Sequence, residues 1–551
     1  MENRRVTAGL SQAGQAHGVG FLTAEGKAPQ KELARLLKGL NILDLRGDDA
    51  ILVAGLAYHS GRVRPGEVFV ALKGLQTDGH RFIPQAIERG AQVLVVEDEV
   101  PAGDGLVCVR TPDTRLALAS MSAAWADHPS QELTLIGVTG TNGKTTTSYV
   151  LEAIWQAAGA EVGVIGTVNC RFGGQLRPSP VTTPESLDLQ NLLREMRAAQ
   201  VTCAIMEVSS HALDLKRVDA SHYDAAVFTN LTQDHLDYHQ DMESYFAAKS
   251  RLFTELLAAG GAAGLAVLNQ DDPWGRKMRR LVAAPVLTYG FGPDVDVRPR
   301  HYTLSPQGIQ AVLDTPDGPV EITSPLLGHY NLANILAATA TALGLGVAPE
   351  HIVSGLAAMT GVDGRLEPVA VTGQPLVLVD YAHTPDALAQ VLKALRALPF
   401  QRLITVFGCG GDRDRTKRPL MGQAAAQGSD LVIVTSDNPR TEDPLAIITQ
   451  IEAGLQELGW PRLESQDLTP AARGYLIVPD RRQAIRVAVE AGTRDDVILL
   501  AGKGHETYQI VGTNRRHFDD RQEAWQALRR RAARESGMPA GRNQSTPERQ
   551  P

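Results

Sequence analysis

The residues with the plainest chemistry form one run, Gly137-Val138-Thr139-Gly140-Thr141-Asn142-Gly143-Lys144-Thr145-Thr146-Thr147. Glycines let a backbone curl until successive N–H groups face one anion. A helix that starts directly after such a loop adds its partial positive end. Lys144 is long enough to reach the outer phosphates of a nucleoside triphosphate, and the Thr145 hydroxyl can ligate Mg²⁺. The expected phosphate cradle is therefore Gly140, Thr141, Asn142, Gly143, Lys144, Thr145 and Thr146. The general form G-x-x-x-x-G-K-[ST] needs glycine at position 138, where this chain has Val138. Gly140 must then supply part of the turn. A β-like run at 133–136 before the loop and a helix-like run at 146–158 after it give the required context.

Other places could work with such a loop. Glu207 closes an apolar run in Met206-Glu207-Val208-Ser209-Ser210-His211. A carboxylate at a strand end beside a phosphate loop can hold Mg²⁺, although many strands end in Glu without that role. Asn230-Leu231-Thr232-Gln233-Asp234-His235-Leu236-Asp237-Tyr238-His239 follows another apolar run. Its His and Asp residues fit a metal site or a loop hydrogen-bond network equally well. Lys249, by composition alone, reads as a solvated helix lysine. Asn331 and Asn334 share one face of an expected helix and could meet one ligand; Asn331 could instead cap that helix.

Toward the C-terminus, four apolar runs end in polar loops. These are Asp380-Tyr381-Ala382-His383, Gly408-Cys409-Gly410-Gly411-Asp412-Arg413-Asp414-Arg415, Asp437-Asn438-Pro439-Arg440, and Gly502-Lys503-Gly504-His505-Glu506. Ligands of open parallel sheets bind outside the carboxyl ends of the strands, so these loops should converge on one crevice. Strand-ending Gly and Asp would account for Gly410 or Gly502, but not for the Arg residues and the Glu.

Positioning such loops requires strands alternating with helices. Short apolar runs lie at 92–96, 133–138, 203–208, 225–229, 376–380, 403–408, 431–435 and 497–501, with amphipathic patterns between them. Runs this continuous predict parallel sheets buried on both faces, and so an α/β class. With 551 residues the chain exceeds one core. The expected divisions are a poorly ordered extension at 1–30, an N-terminal domain at 31–131, a central ATP-binding domain at 132–363, a C-terminal domain at 364–532 and a frayed tail at 533–551. A net charge of −8 argues against general nucleic-acid binding. Four scattered cysteines without a C-x-x-C pair suggest neither a disulfide scaffold nor zinc. No apolar stretch follows Arg4 and Arg5, and none approaches a membrane span, so a cytoplasmic protein is expected.

The string T-G-T-N-G-K-T-T at 139–146 resembles the phosphate loop of the Mur ligases and of their folylpolyglutamate synthetase relatives. The resemblance runs from about residue 52 to 520. It implies three domains, the central one a P-loop ATPase-like parallel sheet and the last Rossmann-like. It implies ATP and Mg²⁺, with Glu207 and Thr145 on the metal, His235 at a second magnesium site, and Lys249 carbamylated nearby. His239 gains no ligand role from it. It sets Asn331 and Asn334 against the adenine, Asp380 near the ribose, and Arg365 in the nucleotide site.

Asp437-Asn438-Pro439-Arg440 resembles the D-N-P-R motif of the diaminopimelate-adding members. Arg413 and Arg440 would then grip a carboxylate and Glu506 a distal ammonium, with Gly502 in the same site. Ser60 and Arg62 resemble a uridine-site pattern. Thr182, Thr183, Ser209 and Arg217 match positions that hold a muramoyl dipeptide. The chain departs at Leu215, where members commonly carry Gln. The implied partners are UDP-MurNAc-L-Ala-D-Glu and meso-diaminopimelate, joined through an acyl phosphate in peptidoglycan synthesis, by a monomer. Alternatives are a lysine-adding ligase, a ligase adding glutamate to a folate or a dipeptide to a muramoyl tripeptide, or a nucleotide-binding switch or scaffold without catalysis.

Overall fold

The computed structural model describes residues 30–535 apart from 75–76, 102–104, 259–263 and 306. The expected extension up to residue 29 and the tail beyond 535 lie outside the described residues. The last helix, Asp520–Glu535, reaches three residues into the span expected as tail.

The first sheet has five strands in the order Asp44–Arg46, Val107–Arg110, Val93–Val96, Glu67–Val70, Gly55–Ala57. Asp44–Arg46 is antiparallel to its neighbour and the other pairs are parallel. Helix Thr114–Trp125 covers it. Asp113 starts that helix by accepting from the backbone N–H of Arg115 and Leu116, two donors that have no partner inside the helix.

An eight-stranded sheet forms the middle of the chain. Val162–Ile165, Cys203–Glu207, Thr134–Thr139, Ala225–Phe228, Leu265–Asn269 and Val286–Tyr289 lie parallel in that order. Asn169–Phe172 and Gln175–Pro178 add an antiparallel edge beside Val162–Ile165. Side chains alternate between the two faces, and each face has its own core. Ile136, Val138, Ile205, Val227 and Val267 pack with Val150, Leu151 and Ile154 of helix Lys144–Ala157 on one side. Leu135, Ala204, Met206, Phe228 and Leu268 pack on the other. Fully burying one such Val or Ile stabilises by about 1.5–3 kcal/mol. Two-sided burial is why these strands read as unbroken apolar runs. A three-stranded antiparallel sheet, Arg298–Ser305, Gly308–Thr315 and Gly318–Ser324, flanks this unit.

The third sheet has the order Glu367–Val369, Leu376–Asp380, Val497–Ala501, Leu403–Phe407, Leu431–Val434, Gly474–Ile477. All pairs but the first are parallel. The four strands that end in polar loops are neighbours, so their carboxyl ends form one edge. The eight runs expected as strands all contain strands, and the α/β class holds. No helix among the described residues is long and apolar enough to cross a membrane.

Candidate active site

The phosphate loop joins strand Thr134–Thr139 to helix Lys144–Ala157. Val138 belongs to the strand, paired on both sides, so the first glycine of the general pattern has no turn to make here. Gly140 and Gly143 make it instead, with φ of +145° and +88°. A Cβ on Gly140 would sit 1.9 Å from Thr229 Oγ1, and one on Gly143 2.4 Å from Asn334 Oδ1. Lys144 Nζ donates to the carbonyls of Gly140 and Thr141, 2.8 Å each. Thr229 Oγ1 donates to Asn142 O at 2.7 Å, and Asn142 N donates to Asn230 Oδ1 at 2.9 Å.

Glu207 is buried at the end of the neighbouring strand. Its carboxylate accepts from Thr145 Oγ1 at 3.1 Å, from Thr167 Oγ1 at 2.8 Å and from Thr167 N at 3.0 Å. Arg365 Nη2 donates to Thr145 Oγ1 at 3.2 Å. Thr167 was not singled out in the sequence. Its place just past strand Val162–Ile165, on the same carboxyl edge, was the available signal.

Lys249 is 1% exposed, which overturns its reading as a solvated lysine. Helix Met242–Arg251 turns it inward, where Nζ donates to Gly140 O at 2.9 Å and stands 4.8 Å from the Tyr245 ring centre. Burial lowers its pKa well below that of an ordinary lysine, and nearby Lys144 lowers it further. Lys144 is lowered too, chiefly by burial. Among the described residues, neither ammonium has a carboxylate within ion-pair distance.

His235 has φ of +55°, a left-handed conformation that a β-carbon disfavours. Its ring meets His211 edge-on at 5.0 Å and Tyr245 at 6.1 Å. His239 points elsewhere: it is buried, stacked on Tyr245, with Nε2 2.9 Å from Ser210 Oγ.

Helix His329–Gly344 begins after Gly328, so Asn331 lies inside it rather than capping it. Asn331 Nδ2 donates to Leu327 O at 2.8 Å, and Asn334 Nδ2 donates to Asn331 Oδ1 at 3.1 Å. Both are buried, and Asn334 abuts the phosphate loop at Gly143. Asp380 is buried and accepts from the N–H of Leu366 and Ala382, 2.7 and 2.8 Å. Burial raises its pKa, with Arg365 opposing.

A second hydroxyl chain leads away from Glu207. Thr167 Oγ1 is 3.1 Å from Thr182 Oγ1, and Thr183 Oγ1 donates to Glu207 O at 2.8 Å. Ser209 N donates to Thr183 Oγ1 at 3.0 Å, and Arg217 Nη1 to Thr183 O at 3.4 Å. Thr182, Thr183, Ser209 and Arg217 are thereby gathered next to the expected metal carboxylate. Ser60 and Arg62 lie on a turn of the first sheet, where Ser60 Oγ donates to Gln85 Oε1 at 2.7 Å.

A crevice of about 470 Å³ opens between the middle and last sheets, and Ser60 and Arg62 do not line it. His211, Asp234 and His235 form one wall; Arg413, Asp437, Asn438, Arg440, Gly502 and Glu506 form the other, with His383 and Lys417. Arg440 has φ of +51° and donates to Gly411 O at 2.7 Å. Pro439 O is so close to Gly411 that a Cβ there would clash at 1.9 Å. Asn142 Nδ2 reaches across to Asp386 Oδ2 at 3.1 Å, tying the phosphate loop to the last unit. Asp386 had no distinguishing signal beyond following Pro385 at a helix start.

The chain matches the description "Mur ligase family, catalytic domain" over residues 52–126, "Mur ligase middle domain" over 138–342, and "Mur ligase, glutamate ligase domain" over 364–504. It is 48% identical over 511 residues to the UDP-N-acetylmuramoyl-L-alanyl-D-glutamate--2,6-diaminopimelate ligase of Geobacter metallireducens, covering 92% of this chain and 99% of that one. The protein of that name from Geobacter sulfurreducens is 47% identical, covering 91% and 98%. A solved structure titled as a ligase of that name superposes with a TM-score of 0.65 at 32% identity, covering 92% of this chain and 100% of that one. With a phosphate loop, a buried carboxylate beside it and relatives matched over nine-tenths of its length, this chain belongs to the Mur ligase family.

Proposed function

We propose that the protein is an ATP-dependent ligase that adds meso-diaminopimelate to the D-Glu γ-carboxylate of UDP-MurNAc-L-Ala-D-Glu, in peptidoglycan synthesis. The observation that carries this reading is the crevice itself. It is lined by Arg413, Arg440 and Glu506 together with His211, Asp234 and His235. The relatives' shared name supports the substrates. We take the enzyme to work as a monomer in the cytoplasm.

A carboxylate oxygen is a poor leaving group, so it must be activated. The γ-phosphoryl of ATP passes to the D-Glu carboxylate, ADP leaves, and an acyl phosphate results. The amine nitrogen attacks the acyl carbon, the C–O bond to phosphate breaks, and an amide and phosphate remain. Lys144 neutralises charge on the transferring phosphoryl. Asn331, Asn334, Arg365 and Asp380 hold the nucleoside end. Thr182, Thr183, Ser209 and Arg217 hold the dipeptide, and Ser60 and Arg62 the uridine. Arg413 and Arg440 take the distal carboxylate of diaminopimelate, and Glu506 its distal ammonium. Asp437, Asn438, Pro439 and Gly502 shape that pocket.

Thr145 and Glu207 are oxygen donors 3.1 Å apart, a pair that suits a hard divalent cation. They would hold one Mg²⁺, and His235 with a carbamylated Lys249 a second. Bound there, Mg²⁺ supplies charge neutralisation for the phosphate oxygens.

The test is phosphate release from ATP and UDP-MurNAc-L-Ala-D-Glu with meso-diaminopimelate, with L-lysine, or with no amine. Release only with diaminopimelate is expected. Release with lysine alone would overturn the specificity, and release with neither would overturn the reaction.

A further inference from the structure

Lys503 is fully buried, yet it stands among the recognition loops rather than in a core. Its Nζ donates to Glu506 Oε2 at 2.9 Å and to Asn438 Oδ1 at 3.3 Å, and lies 5.5 Å from the Tyr508 ring centre. Asn438 Oδ1 also accepts from Ile510 N at 2.9 Å, while Asn438 Nδ2 donates to Glu506 Oε2 at 2.9 Å. One cation thus joins the loops at 437–440 and 502–506 to strand Tyr508–Val511. Glu506 Oε2 is doubly engaged. Oε1 receives a longer contact, 3.4 Å from the Tyr508 hydroxyl, and Glu506 lines the crevice.

We propose, resting on the ligase reading above, that Lys503 is a positioning residue that aims Glu506 and cancels its charge, so that the amine substrate needs a distal carboxylate as well as a distal ammonium. A lone crevice carboxylate would attract any ammonium, that of lysine included. Paired with Lys503, Glu506 offers an oriented acceptor but little net charge. An ammonium alone then gains little, and the rest must come from a carboxylate facing Arg440 and Arg413. Discrimination arises from what the wrong substrate fails to gain. A buried ion pair of this kind contributes little net stability compared with apolar packing, so folding alone does not account for it.

The test uses the full chain, with parent, Lys503→Met and Lys503→Gln compared in the phosphate-release assay with both amines. Thermal unfolding and ADP binding report folding. For Lys503→Met, KM for diaminopimelate should rise about tenfold with kcat within about twofold of the parent. The kcat/KM preference for diaminopimelate over lysine should fall about tenfold. Lys503→Gln keeps a donor without the charge, so it should recover part of the KM but not the preference. An unchanged preference in Lys503→Met, equal losses with both amines, or failure of both variants to fold would make Lys503 merely structural and overturn the proposal. A parent without amine-dependent release would remove the ligase reading, and this inference with it.

Discussion

Lys144 and Lys249 both donate to Gly140 O, at 2.8 and 2.9 Å. Two buried ammonium groups on one carbonyl repel each other, which is why burial and proximity both lower the Lys249 pKa. An unprotonated amine is the form that can add CO₂, and the resulting carbamate would turn the repulsion into attraction. The parent protein in ¹³C-bicarbonate should therefore show a carbamate carbon by NMR that Lys249→Ala lacks. A spectrum identical in the two would remove the carbamate from the mechanism. Lys144→Ala should lower kcat by about 10³-fold while thermal stability stays near that of the parent. Turnover close to the parent's would mean that the loop does not serve the phosphoryl transfer.

Loops and helix starts set the next scale. Gly140 combines a φ of +145° with Thr229 Oγ1 where a Cβ would go. Gly140→Ala should cost about 1–3 kcal/mol of local strain and weaken ADP binding, measurable by calorimetry. Unchanged affinity would show that the loop can open without cost. In the last unit, fully buried Arg418 donates to both oxygens of Glu442, at 2.8 and 3.0 Å, and so joins helix Lys417–Gly428 to the loop after Arg440. The Arg418 hydrogen bonds hold the Glu442 pKa down to about 2, from an ordinary 4.5. A depressed carboxyl stabilises fully above its ordinary value and loses that contribution as pH falls through the lowered one. Glu442→Gln should therefore lower Tm at pH 7, and the gap to the parent should close between pH 4.5 and about 2. A gap independent of pH would place the effect in packing instead.

For the whole molecule, the proposed reaction requires the units to meet around one set of reactants, shielded from water that would hydrolyse an acyl phosphate. Specific polar contacts tie the units together. Tyr58 OH donates to Asp188 at 2.5 Å and Lys216 pairs with Asp113, both between the first and middle units. Asn142 to Asp386 and Arg365 to Thr145 join the phosphate loop and its helix to the last unit. Asp386→Ala should loosen this closure and leave each core intact. The expected sign is more ATP hydrolysis per amide formed, with Tm unchanged. A ratio equal to the parent's would show that closure does not depend on this contact.

Much of the fold and part of the site were legible in the chain itself. Parallel strands announce themselves because both of their faces are buried, as at Cys203–Glu207 and Leu431–Val434. The phosphate loop announces itself because glycine, lysine and threonine must be adjacent for one backbone turn to hold phosphate. Antiparallel pieces such as Arg298–Ser305, with much of their surface exposed, lack that signal. Arrangements that are local along the chain were therefore legible in the sequence. Chemistry that depends on residues far apart was decided by tertiary structure alone. Lys249 looked like a surface lysine until its helix packed it against Gly140, 109 positions away. Asn331 could have been a cap or a ligand-facing residue until the helix proved to begin at His329, which places it inside. Thr167 and Asp386 gained partners, and Lys503 its burial, only through folding: burial and hydrogen-bond geometry are properties of neighbours in space, and no spacing along the chain contains them.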